Sequence, residues 1–208
     1  MSFTGIPTTA LDFYEDLEND NSKGFWTAHK HVYEESVKAP MEALVAALQK
    51  EFGPGKLFRP YRDVRFAKDK TPYKTHQGAW FAESSMYVQI SAAGLYVAGG
   101  YWQTSSGQVE RLRRGVADDV AGPALERAIA KVTKAKFDVH GDRITRVPSG
   151  YDKDHPRGEL LRYKTMTANK DLGFPDWLST AQAKTEVAKA WRAIQPLVTW
   201  LDTHVGRD

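Results

Sequence analysis

The sequence contains no cysteine. This absence excludes disulfide bonds, thiolate zinc sites, iron–sulfur clusters and cysteine nucleophiles. Nor does it contain a run of about eighteen apolar residues, which a membrane-spanning helix requires. The first residues lack the basic and apolar regions of a secretory signal. We therefore expect a soluble, cytoplasmic protein with no membrane partner.

Several motifs of nucleotide-dependent and hydrolytic enzymes are also missing. The glycines fit neither the phosphate loop of the P-loop enzymes nor the dinucleotide-binding fingerprint. No serine occupies a Gly-x-Ser-x-Gly elbow, so an α/β-hydrolase is not expected. We accordingly predict no cofactor, and no metal site is assigned.

The composition is that of an ordinary globular protein. Its 208 residues are 41% hydrophobic and 26% charged, and they include six tryptophans that provide large apolar contacts. A chain of this length can bury one substantial core, and no low-complexity linker interrupts it. We predict a single domain over residues 1–208.

The hydrophobic pattern predicts helices at both ends and strands between them. Apolar residues recur at helical spacing up to Gly53, and Pro40 is expected to kink or split this region. Alternation predicts a strand from Leu57 to Phe66 and a polar loop over 67–77. Two hairpins are predicted after this loop, over 86–102 and over 137–147.

The remaining elements are predicted to be helical. Ser105 and Gln108 fit a capping box, and Pro123 suits the first position of the next helix. A short helix is expected over 157–163 and a long amphipathic one at the C-terminus. The predicted fold class is α+β, a mostly antiparallel sheet with N-terminal, middle and C-terminal helices packed on it.

The positive charge is concentrated in one segment. Residues 59–76 hold six of the 29 Lys and Arg residues and two of the 26 Asp and Glu residues, a net charge of +4. The rest of the chain carries 23 basic and 24 acidic residues, a net charge of −1. Such a local excess produces a field that attracts anionic partners.

The run from Arg62 to Thr75 resembles the domain of unknown function 2461 family. Shorter stretches carry the same resemblance: Gly24-Phe25-Trp26, Tyr33-Glu34, Pro40, Tyr87–Ile90, Pro148–Tyr151 and Asp154–Pro156. The resemblance spans nearly the whole chain. It implies a single intracellular domain and says nothing about activity, because the family is uncharacterised.

The cationic segment predicts an anion-binding site. Arginines grip phosphate or carboxylate with paired hydrogen bonds, while lysines add point charge and a tyrosine adds a hydroxyl donor. The predicted ligand-binding residues here are Arg62, Asp63, Arg65, Lys68, Asp69, Lys70, Tyr73 and Lys74. Two alternatives stay open: the aspartates pair with the arginines in a buried network, or the charges form a solvated face.

A loop over 150–156 offers a second candidate. Asp154 is placed to orient His155 as a general base, and Tyr151 is a further ligand-binding candidate. The same residues are also typical of a turn in which Asp152 or Asp154 caps the following helix, and this interpretation is preferred. A third candidate pairs the glycines near residue 100 with Arg111 and Arg114, although a capped helix with exposed arginines explains that pattern better.

Three functions remain in contention. The first is a site for a phosphorylated or carboxylated small molecule, with an enzymatic role left open. The second is a nucleic-acid contact surface on the cationic segment, where Tyr61, Tyr73 and Trp80 stack on bases. The third is a module that binds a protein partner without chemistry. The oligomeric state is not predicted.

Overall fold

The computed structural model describes residues 2–66 and 68–207. The chain divides into two compact units, Met1–Val97 with Asp171–Lys189 and Ala98–Lys170 with Ala190–Asp208. The α+β class with a mostly antiparallel sheet is confirmed. The single domain predicted for residues 1–208 stays a prediction.

The first unit begins with a helical region. Its helices are α1 (Thr9–Asn19), α2 (Lys23–Val32) and α3 (Ala39–Phe52). Ser22 caps α2 by accepting a hydrogen bond from the Phe25 amide. Among the described helices, none is long and apolar enough to cross a membrane.

A π-helical segment, Tyr33–Lys38, joins α2 to α3 without a break. The Ala39 amide donates to the Glu34 carbonyl, five residues back, as a π turn requires. Pro40 follows in the first turn of α3. Its ring would clash with the carbonyl four residues back in a regular α-helix, and the wider π turn before it accommodates the ring. The kink or split predicted at Pro40 stays a prediction.

Within the described residues, six strands form one sheet in the order β1-β2-β3-β4-β6-β5. The strands are β1 (Gly55–Leu57), β2 (His76–Phe81), β3 (Met86–Ser91), β4 (Gly94–Tyr101), β5 (Asp138–His140) and β6 (Met166–Gly173). The β3–β4 hairpin confirms the prediction over 86–102. Gly94 has φ +96°, and a Cβ there would lie 2.3 Å from the Gly173 carbonyl oxygen, so only glycine fits.

The predicted strand over 57–66 is wrong beyond its first residue. Strand β1 ends at Leu57, and residues 58–66 form no further strand apart from one bridge between Tyr61 and Tyr73. Pro60 and Pro72 lack the amide that a strand ladder needs, which explains why regular pairing stops. The predicted loop also ends early, since β2 begins at His76; Ala67 lies outside the described residues.

The predicted hairpin over 137–147 is wrong as well. Strand β5 pairs with β6, with Asp138 opposite Asn169, so its partner is about thirty residues away in sequence. Alternation in a short segment indicates a strand but does not identify the partner strand.

The remaining helices match the predictions in type. They are α4 (Ser106–Ala117), α5 (Ala121–Lys134), α6 (Gly158–Leu161) and α7 (Gln182–His204). The capping box of Ser105 and Gln108 is confirmed. Pro123 lies in the first turn of α5, two residues after its start.

Candidate functional site

A cleft of about 360 Å³ lies in the first unit, beside the edge strand β1. Its lining comes from residues 26–42 and 57–61: Trp26, Lys30, Tyr33, Glu34, Lys38, Glu42, Leu57, Phe58, Arg59, Pro60 and Tyr61. Small-molecule sites typically have volumes of roughly 300–1,000 Å³ and combine apolar walls with a few polar groups. The cleft has both features.

Aromatic rings form the end of the cleft near α2. Trp26 is buried and stacks on Tyr73, with centroids 4.2 Å apart and planes 7° from parallel. Tyr33 and Tyr61 lie 4.8 Å and 5.9 Å from the Trp26 ring. Tyr61 is 47% exposed, and its ring lies beside those of Trp26 and Tyr73, with centroids 5.9 Å and 5.5 Å away.

Asn21 holds the backbone of Tyr73, one member of this aromatic group. Its amide nitrogen donates to the Tyr73 carbonyl at 3.0 Å, and its amide oxygen accepts from the Tyr73 backbone N–H at 3.1 Å. The side chain thus imitates one rung of a β-ladder across 52 residues of sequence.

Gln77 joins the two walls of the cleft, the helical wall of residues 26–42 and the strand wall of residues 57–61. It is 1% exposed, and its side-chain oxygen accepts from the Tyr33 hydroxyl at 2.7 Å. Its side-chain nitrogen donates to the carbonyls of Phe58 at 2.7 Å and Gly78 at 3.1 Å. Burial raises the pKa of Tyr33, with Glu34 adding to the rise, so the hydroxyl keeps the proton that it donates. The bridge holds the helical wall against the strand wall.

Both signs of charge occur in the lining. Lys38 and Glu34 pair at 2.7 Å, and this contact raises the pKa of Lys38. Among the described residues, no hydrogen bond or ion pair involves the side chains of Lys30, Arg59 or Glu42. Arg59 and Glu42 do act at longer range, on Asp63 and Lys38 respectively.

The strand wall lies in a positive field. Phe58 lies beneath the Lys74 ammonium, 5.3 Å from the ring centroid. Burial and Arg59 lower the pKa of Lys74. Burial, Lys74 and Arg62 likewise lower the pKa of His76. Cations this close to one another favour an anionic neighbour.

In the cationic segment, where an anion site is predicted, two arginines are paired with aspartates of the same segment. Arg62 contacts Asp69 at 2.5 Å, and Arg65 grips Asp63 with two hydrogen bonds of 2.9 and 2.7 Å. Hydrogen bonds from the Thr71 amide and then from Arg62 lower the pKa of Asp69 to about 2. The pairs are exposed and not buried as the alternative supposed. Anion binding by these residues stays a prediction.

The other predicted members of this segment are dispersed. Lys68 is exposed, and Lys70 donates to the Val64 carbonyl at 2.9 Å. Tyr73 is buried against Trp26, where burial raises the pKa of its hydroxyl. None of the eight predicted residues lines the cleft, although Arg59 and Tyr61 belong to the same stretch of sequence.

His155 and Asp154 do not contact each other in the described structure of the second unit. His155 accepts at Nδ1 from the Arg157 amide at 3.0 Å, and the Asp154 amide donates to Asp152 at 2.9 Å. The expected capping of the next helix is wrong, because α6 begins after Arg157 with no side-chain cap. Tyr151 is half-buried in a turn. The catalytic assignment stays a prediction.

The arginines of α4 have separate positions. Arg111 donates from Nε to the Val205 carbonyl near the end of α7, and Arg114 is exposed. Across residues 2–66 and 68–207, no group of three or more His, Asp or Glu side chains is arranged to hold a metal.

Sequence reasoning missed the helical wall of the cleft. Its signal was a stripe with a spacing of four throughout: Trp26, Lys30, Glu34, Lys38 and Glu42. In a regular α-helix of about 3.6 residues per turn, such a stripe drifts by about 40° per step. The π segment widens the turn and reduces this drift, which keeps the stripe facing the strand.

The chain belongs to the family described as Conserved hypothetical protein (DUF2461), whose model matches residues 9–200. This confirms the resemblance seen in the sequence. No curated protein and no solved structure matched the chain.

Proposed function

We propose that the protein binds a small anionic molecule with a flat apolar part in the cleft beside β1. The observation that carries this proposal is that the exposed Tyr61 lines the same cleft as Lys30 and Arg59, two cations whose side chains make no hydrogen bond or ion pair among the described residues. A ring of the ligand stacks on Tyr61, and its phosphate or carboxylate meets the cations.

The electrostatics of the lining support an anionic ligand. The ion pair of Lys38 and Glu34 is neutral as a unit, which leaves Lys30 and Arg59 against Glu42. Burial and then Arg59 lower the pKa of Lys74, so the charge of Arg59 is felt at the neighbouring cation of the strand wall. An anion there relieves repulsion that the free protein sustains.

Thermal unfolding with matched probes tests the proposal. The charged probes are a nucleoside monophosphate and an aryl carboxylate, and the matched probes are the uncharged nucleoside and the aryl carboxamide. A ligand at a hundredfold excess over its Kd stabilises the folded state by about 2.7 kcal/mol, roughly 5–10 °C for a chain of this size. We expect a shift with at least one charged probe and a much smaller shift with its uncharged counterpart.

Variants then locate the site. Arg59→Gln and Lys30→Gln should each reduce the shift, whereas Lys23→Gln, an exposed lysine on the same helix outside the lining, should leave it unchanged. Equal shifts in all three variants, or none with any charged probe in the unaltered protein, would refute the assignment. A cytoplasmic location, an enzymatic role and a protein partner stay predictions.

A further inference from the structure

The loop between Arg62 and Thr71 carries an unusually exposed ring. Phe66 is 97% exposed, more than Phe174, which at 61% is another exposed phenylalanine of the chain. Single exposed apolar side chains are common on protein surfaces, so this ring gains significance only from the cations of the same loop.

Hydrogen bonds within the loop hold its backbone. The Arg62 amide donates to the Pro72 carbonyl at 2.9 Å, and the Arg62 side chain reaches both Asp69 and Thr71. Lys70 crosses the loop to the Val64 carbonyl. Residues on both sides of Phe66 thus make hydrogen bonds within the loop, and the Phe66 ring itself is exposed.

The same contacts determine which charges of the loop are paired. Asp63 and Asp69 accept hydrogen bonds from Arg65, Arg62 and Thr71. Both carboxylates are consequently paired inside the loop, and the surplus positive charge belongs to two exposed lysines, Lys68 and Lys70. Lys70 keeps its full charge, since it bonds a neutral carbonyl and has further donors.

We infer that this loop binds single-stranded nucleic acid, with a base stacked on Phe66 and phosphates on Lys68 and Lys70. Stacking on an aromatic ring beside cations is how proteins bind single strands without sequence preference. A membrane surface is disfavoured because one ring with a half-buried Val64 behind it provides little apolar area for insertion. The inference is independent of the cleft.

Fluorescence anisotropy with a labelled oligothymidylate of about twelve nucleotides, in about 20 mM salt, tests it. Phe66→Ala should weaken binding at least about fivefold, the low end of what one lost base stack costs. Phe66→Tyr should retain the affinity, because it keeps the ring. Phe174→Ala removes an exposed phenylalanine outside the loop and should have no effect.

The salt dependence of the binding constant reports the number of phosphate contacts. Two contacts predict a slope of about −1.4 in a plot of log K against log salt concentration, and Lys68→Gln or Lys70→Gln should each halve it. Unaltered unfolding temperatures will show that the variants fold. No binding in low salt, or equal affinities for Phe66→Ala and Phe174→Ala, would overturn the inference. Binding to phosphatidylserine vesicles that depends on Phe66, without oligonucleotide binding, would overturn it in favour of a membrane contact.

Discussion

Replacing Gln77 by methionine tests whether the bridge across the cleft stabilises the first unit. Gln77→Met preserves the length and approximate volume of the side chain but removes its amide. The Tyr33 hydroxyl then loses its acceptor, and the Phe58 carbonyl loses the donor 2.7 Å away. Because Gln77 is 1% exposed, water cannot readily take over either contact.

The expected cost follows from these two groups. A buried polar group left without a partner costs roughly 1–3 kcal/mol, and the added apolar burial of methionine offsets part of the sum. We therefore expect Gln77→Met to lower the free energy of unfolding by about 2–4 kcal/mol. This is a large part of the roughly 5–15 kcal/mol typical of folded proteins, and it corresponds to a fall in Tm of roughly 5–15 °C.

Urea unfolding of a double-mutant cycle provides the measurement. Tyr33→Phe removes the hydroxyl that Gln77→Met leaves unpaired, so the double variant should be more stable than the sum of the single effects by about 1 kcal/mol or more. Gln89→Met is the matched control: Gln89 also accepts from a tyrosine, Tyr87 at 2.8 Å, but it is half-buried and water can replace the contact. Two results would refute a stabilising role for the bridge: equal losses of unfolding free energy in Gln77→Met and Gln89→Met, or strict additivity of Gln77→Met with Tyr33→Phe.

Two further predictions concern pH and packing. The lowered pKa of His76 means that the unfolded state takes up a proton first as the pH falls, so stability should drop below the ordinary histidine pKa of about 6.5. His76→Gln should reduce the difference in unfolding free energy between about pH 7.5 and pH 5, whereas the exposed His140→Gln should not. In the second unit, a Cβ at Gly122 would lie 2.3 Å from Arg157 Nε and 2.4 Å from a backbone oxygen, so Gly122→Ala should cost about 1–3 kcal/mol in thermal or urea unfolding. Gly107→Ala, in α4, where a Cβ would lie 3.6 Å from its nearest neighbour, Arg111 of the same helix, should be neutral or stabilise by up to about 1 kcal/mol.

The parts of the fold that could be predicted are those set by nearby residues. The β3–β4 hairpin is indicated by the alternation of β3 and by the two-residue turn that leads into the apolar β4, and its register follows from the turn. The capping box of Ser105 and Gln108 closes within four residues. In both cases, the residues that determine the structure and those that adopt it belong to the same short segment.

The parts that failed depend on distant partners. Strand β5 could not be paired from its own sequence, because its partner β6 lies about thirty residues further along the chain and alternation in a short strand does not identify the partner. Asn21 lies 52 residues from Tyr73, whose backbone it holds, and nothing near Asn21 indicates that contact. The cations around Arg62 look alike in sequence whether carboxylates pair with them or not, so only the structure shows which remain available.

The cleft is the clearest case, because its helical wall depends on an irregularity. Pro40 cannot donate to the turn before it, and a π segment absorbs the resulting conflict. Such segments have poorer hydrogen-bond geometry than an α-helix and often mark functional positions. Here the irregularity keeps a stripe from Trp26 to Glu42 directed at the edge of the sheet, so aromatic and charged side chains face the same cleft. A regular helix would turn part of that stripe away from the strand, so the π segment determines which side chains line the cleft.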